Sequence, residues 1–139
     1  MTPQQKELVK QTWTMVVPIA DTAAELFYGR LFELDPSVKP MFKGDMKEQG
    51  AKLMKTIGIA VSALDDLEPL IATLKDMGEK HAGYGVKDAD YDTVAAALLW
   101  TLEKGLGEAF TDEVKNAWAA VYTILADVMK QGASEAKAA

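Results

Sequence analysis

Apolar residues recur at helical spacing along almost the whole chain. Leu8, Val9, Trp13, Val16 and Val17 make one stripe. Ala23, Ala24, Phe27, Leu31 and Leu34 make a second, with Tyr28 and Phe32 alongside. Gln49, Leu53, Ile57, Ala60, Val61 and Leu64 share a third face, and Leu70, Leu74, Met77 and His81 a fourth. Tyr91, Val94, Leu98, Leu102 and Leu106 form a fifth; Val114, Trp118, Val121, Tyr122, Leu125, Val128 and Met129 form the last. Steps of three and four put such residues on one side of an α-helix. No segment alternates with period two, so no strand is expected.

The breaks between stripes carry helix-end chemistry. Thr2 and Gln5 bracket Pro3 as a capping box, with proline in the first turn. Pro18 ends or bends the first helix, because it lacks the amide hydrogen that the helix needs. Asp35 caps a short helix opening at Pro36, which Pro40 and a turn over 43–45 cut off. A long helix then spans Asp45 to Leu64, and the histidine helix spans Leu67 to Ala82 before Gly83 and Gly85 stop it. Asp88 and Asp90 open the next helix, and Thr111 caps the last, with Asp112 and Glu113 in its first turn. The small, polar tail from Gln131 to Ala139 is expected to fray. These signals predict an all-α chain of about seven helices in one domain over residues 1–139.

Composition narrows the chemistry. At 139 residues and 49 % hydrophobic, the chain can bury a sizeable core. A net charge of −6 without a basic stripe argues against nucleic acid and against an anionic membrane surface. The absence of cysteine rules out disulfides, iron–sulfur clusters, zinc–thiolate sites and covalently attached c-type haem. Without a signal-like N-terminus or an apolar run of membrane-spanning length, the expected location is the cytoplasm.

His81 is the only histidine. It projects from the inner face of its helix, near the end. On spacing alone, a packed core histidine is the better reading than a ligand, since histidine buries to an intermediate degree.

The segments FYGRLFELDPSVKPMF, QGAKLM, MGEKHAGYGV, DADYDTV and AWAAVYTILADV change that balance. In this order and with these gaps, the chain from about Gln4 to Lys130 resembles a bacterial globin. It is similar to the globin domain of flavohaemoglobins and to single-domain haemoglobins of the Vitreoscilla type. The resemblance implies a globin fold around non-covalent haem b, with His81 as the axial iron ligand. A backbone carbonyl near Met77 should then accept from the second ring nitrogen and fix its tautomer.

The same resemblance implies that Tyr28, Gln49 and Leu53 cover the distal side. There an O–H or N–H donor would slow O₂ release by opposing the loss of a ligand that gains negative charge. It also implies that Phe42 stacks on the macrocycle. Met41, Leu53, Ile57, Val86, Tyr91, Val94, Leu98 and Tyr122 would line the pocket, and Lys80 or Lys52 would reach the propionates. Read from pattern alone, Tyr28 is equally a core tyrosine with its hydroxyl at the surface, and Gln49 a solvated helix residue. Ile57, Leu98 and Tyr122 are equally plain core, and the two lysines read better as solvated.

In flavohaemoglobins a tyrosine and a glutamate form a network with the axial histidine. Tyr91 matches the tyrosine, but the glutamate position falls at Ala133, and Glu135 lies in the tail. The weakened push on the iron favours ligand binding over redox chemistry. The expectation is therefore reversible binding of O₂, with NO and CO as further ligands, for storage, delivery or scavenging, by a monomer or weak homodimer. The alternative is a nitric oxide dioxygenase. Without a GxGxxG motif or flavin domain in the sequence, it would draw electrons from a separate reductase.

Overall fold

Helix-end chemistry sets the architecture. The structure, a computed structural model, describes residues 2–42, 44–83 and 85–138. Helix α1 (Pro3–Val16) opens on the expected capping box: the Gln5 amide donates to Thr2 Oγ1 at 3.1 Å, and the Thr2 amide to Gln5 Oε1 at 3.0 Å. Pro18 sits in a 3₁₀ turn, Val17–Ile19, before α2 (Ala20–Leu34). A 3₁₀ segment, Pro36–Met41, follows, with Asp35 accepting from the Ser37 amide at 3.0 Å. Asp45 caps α3 (Met46–Ser62) by accepting from the Lys47 amide at 2.9 Å. Then come α4 (Glu68–Gly83), α5 (Asp88–Leu106), a 3₁₀ turn at Gly107–Ala109, and α6 (Asp112–Ala138). Among the described residues there are six α-helices and no strand. With Pro36–Met41 they account for the seven helices expected. Lys43, in the expected turn, lies outside the described residues.

Three expectations need correction. Val17 is 53 % exposed rather than part of the inner stripe. Pro18 draws the chain into a tighter 3₁₀ turn there, and the register of the stripe is lost. Leu34, the last residue of α2, is 42 % exposed for a similar reason, since the helix ends before a further turn can cover it. The tail does not fray at Gln131: α6 continues to Ala138. Gly132 is buried against α4, where a Cβ would lie 2.2 Å from the Lys75 carbonyl oxygen, and Lys75 Nζ meets Glu135 Oε1 at 3.1 Å. Tertiary packing thus supplies the helical stability that a small, polar sequence lacks.

Two apolar clusters form the core. One joins α1, α3, α5 and α6 around Val9, Val61, Leu102 and Trp118. Trp118 Nε1 donates to Thr12 Oγ1 at 2.9 Å, and that hydroxyl donates to the Leu8 carbonyl at 2.7 Å, so these buried polar groups are satisfied. The other joins Phe27, Tyr28, Leu31, Val38 and Ala97, with Phe42, Leu53 and Val94 against it. No helix among the described residues is long and apolar enough to cross a membrane.

Candidate functional site

Both clusters contribute to the wall of one cavity of about 580 Å³. That volume falls within the roughly 300–1,000 Å³ typical of small-molecule and cofactor sites. Its lining is overwhelmingly apolar, and few polar groups reach it.

His81 is the imidazole among them. It stands near the C-terminal end of α4, half-buried, on the stripe that carries Leu74 and Met77. Its Nδ1 lies 2.5 Å from the Met77 carbonyl oxygen. A carbonyl can only accept, so it holds the proton on Nδ1 and leaves Nε2 with its lone pair available to a metal.

The chain brings most of the expected residues together. Tyr28, Met41, Phe42, Gln49, Leu53, Ile57, Val86, Tyr91, Val94, Leu98 and Tyr122 all line the cavity with His81. Lys80 does not. It is exposed and pairs with Asp76 at 3.1 Å one turn back along α4; Lys52, also exposed and 3.8 Å from Glu48, is at the cavity wall, as is Lys55. Several lining residues had no individual signal in the sequence. Val38 sits in a 3₁₀ segment without periodicity, and Leu74, Met77, Leu125 and Met129 were legible only as members of core stripes.

The polar groups on the wall are tuned by burial. Burial raises the Tyr28 phenol above its ordinary value of 10.0, and hydrogen bonding toward Gln49 partly offsets this. The Tyr28 ring packs edge-on against Phe27 and Phe42, at centroid distances of 5.0 and 5.3 Å, and Phe42 meets Phe32 at 5.5 Å. Tyr28 therefore presents a protonated hydroxyl at neutral pH from a ring held by aromatic neighbours. Tyr122 OH donates to the Tyr91 carbonyl at 2.8 Å, and burial, with Tyr91 and Asp92 nearby, raises its pKa strongly. Burial and the Asp88 charge also raise Tyr91, whose ring faces Lys130 Nζ at 5.4 Å from the centroid.

A smaller cavity of about 370 Å³ adjoins Tyr91, lined by Gly78, Ala82, Val86 and Ala133 among others. Ala133 thus stands near Tyr91, as its register suggested, and brings no carboxylate there.

Among the described residues, no group of three or more His, Cys, Asp and Glu side chains could hold a bare metal ion. His81 can supply one ligand to a metal whose remaining positions are filled by an organic cofactor in the cavity. The apolar lining, the single oriented imidazole and the few donors fit such a group.

The globin family profile matches residues 25–129, from α2 well into α6. The protein belongs to the globin family. The chain is 33 % identical to a flavohemoprotein of Rhizobium meliloti (strain 1021) over 138 residues, covering 97 % of the chain but 34 % of that protein. It thus spans about a third of the length of that relative. It is 31 % identical to a neuroglobin of Chaenocephalus aceratus over 146 residues, covering 95 % of the chain and 92 % of the neuroglobin.

Among solved structures, a globin from Campylobacter jejuni superposes with a TM-score of 0.87 at 24 % identity, covering 99 % of this chain and all of that one. An engineered carbene transferase, made from a Rhodothermus marinus protein assigned as a nitric oxide dioxygenase, gives 0.90 at 22 % identity, covering 99 % and 96 %. Globin fold and the resemblance to flavohaemoglobin globin domains are thereby established.

Proposed function

We propose that this globin holds haem b non-covalently, with His81 Nε2 as the axial ligand, and binds O₂ reversibly. The observation that carries the reading is the single imidazole on the wall of an apolar cavity, its Nδ1 committed to Met77 O. Ferrous haem held by one neutral imidazole supplies reversible binding of diatomic ligands. The chain supplies the rest. Met77 O orients the ring and raises its basicity. The leucine, valine and aromatic lining gives such a group an apolar surround. Tyr28 and Gln49 offer hydrogen-bond donors to a ligand that draws electron density from the iron. Phe42, beside Tyr28, gives an aromatic face for the macrocycle, and Lys52 and Lys55, both at the cavity wall, are cations placed to meet a propionate.

Absorption spectra of the purified protein after haem supply test this directly. A Soret band, a five-coordinate ferrous form and clean conversion on adding O₂ or CO are expected. A protein that stays colourless would overturn the assignment.

A second reading, nitric oxide dioxygenation with electrons from a separate reductase, draws on the similarity to a flavohemoprotein. It uses the same cavity. Sustained NO consumption by the reduced globin with a reductase present, faster than its autoxidation, would establish turnover. Its absence would leave ligand binding as the function, which the lack of a carboxylate at Ala133 favours.

A further inference from the structure

The contact between α4 and α6 is made by backbone, and it adjoins His81. A Cβ on Gly78 would lie 1.8 Å from the Met129 carbonyl oxygen, and one on Gly132 would lie 2.2 Å from that of Lys75. Real side chains never come that close, so each glycine is required by the space. Neither has a positive φ, so conformational freedom is not the reason for glycine. Glycine disfavours a helix interior relative to alanine, and here it stands in the interior of both helices. Gly78 follows Met77, whose carbonyl holds His81 Nδ1. Met129, against which Gly78 packs, lines the cavity with His81. Lys75 and Glu135 close the far end of the same contact at 3.1 Å.

We propose that Gly78 and Gly132 are positioning residues: by seating the α4 backbone on the α6 backbone, they fix how far His81 stands into the cavity and so the strain in its bond to iron. This rests on the haem reading above. Side-chain contacts can relax by changing rotamer, and backbone against backbone cannot. The last turns of α6 are therefore part of the support for the axial ligand. Displacement of α4 by a single methyl group would be passed along the rigid helix to the imidazole.

Gly132→Ala tests this in the haem-loaded protein. Its methyl group meets the Lys75 backbone, away from the cavity. Gly83→Ala is the control: it lies on α4 beyond His81, and a Cβ there meets nothing within 4 Å. The iron–histidine stretching band in the ferrous form should shift or broaden in Gly132→Ala and stay put in Gly83→Ala. The ligand vibration of the CO form, which reports on Tyr28 and Gln49, should stay put in both. An unchanged iron–histidine band in folded Gly132→Ala overturns the proposal.

If Gly132→Ala does not fold, Glu135→Ala removes the ion pair without adding bulk. It should shift or broaden the band relative to the native protein while the CO band stays put, and an unchanged band again overturns the proposal. If the native protein takes up no haem, the functional reading fails separately. His81 is the only histidine, so its one Cε1–H signal in the NMR spectrum of the haem-free chain then reports its position. That signal should shift in Gly132→Ala and not in Gly83→Ala, and identical signals would overturn the positioning role.

Discussion

The α2–α3 wall of the cavity and the α4–α6 wall are built on different principles. The first is a wall of side chains. Tyr28 is wedged among Phe27, Phe32 and Phe42, and α2 meets α3 where a Cβ on Gly50 would lie 2.8 Å from that of Ala24. The second also presents side chains to the cavity, Met77, His81 and Met129 among them, but its two helices are joined behind it by backbone, with Gly78 on Met129 and Gly132 on Lys75. Aromatic side chains can readjust within their rotamers, so residues on the first wall can be exchanged to alter ligand contacts. Carbonyl oxygens locked in a helix cannot turn aside. The globin thus keeps its adjustable chemistry on one side of the site and its fixed geometry on the other.

The comparison can be broken most sharply at His81. His81→Ala removes the sole imidazole of the fixed wall and should abolish stable haem incorporation, read by titration of the Soret band. A normal five-coordinate ferrous spectrum in that variant would reassign the axial ligand.

Glycine substitutions come next. Gly78→Ala meets a carbonyl oxygen, carbon and Cα at once and should cost about 3 kcal/mol or more, the upper end for overpacked cores. Gly50→Ala meets a single atom, the Ala24 Cβ, which moves only with α2, and its gain in helix propensity offsets part of the strain, so about 1–2 kcal/mol is expected. Urea unfolding of the two variants decides the matter, and equal costs would erase the distinction between the walls.

Tyr28→Phe sharpens the other side. Loss of one hydrogen bond to a partly charged ligand, worth about 1.5–3 kcal/mol, should speed O₂ release about ten- to a hundredfold while leaving haem uptake intact. Stopped-flow release kinetics measure it, and an unchanged rate would assign the contact to Gln49 alone.

The smallest effect concerns pH. Tyr28, Tyr91 and Tyr122 all have folded-state pKa values raised by burial above the ordinary 10.0. Up to about pH 10 both folded and unfolded chains keep these protons, and stability is flat. Above it the unfolded chain loses them first, so stability should fall as pH rises. Tyr122, shifted furthest, should dominate: Tyr122→Phe should flatten the alkaline limb of a denaturant series more than Tyr28→Phe.

Much of this architecture is legible in the amino-acid sequence. The inner stripes of α3, α5 and α6 and the capping box at Thr2 and Gln5 follow from side-chain periodicity and hydrogen-bonding residue types, which are local properties. The stripe containing Leu74, Met77 and His81 gave the axial candidate the correct helix face, and the family resemblance gave it a role. The Lys80 expectation fared differently. Both lysines have an acid one turn back, Asp76 for Lys80 and Glu48 for Lys52, so what separates them is where α3 and α4 lie around the cavity, which a resemblance to other sequences does not weigh.

What the chain determined by itself was which residues face inward and where helices stop, because spacing and caps depend on near neighbours. Only the tertiary structure decided that α6 runs through the polar tail, that Gly78 and Gly132 are contact surfaces rather than helix breakers, and that Tyr122 donates to the Tyr91 backbone. These depend on segments far apart in sequence. A glycine leaves no apolar mark in a hydropathy pattern, and its value is the approach of another backbone, which appears only when the two helices meet.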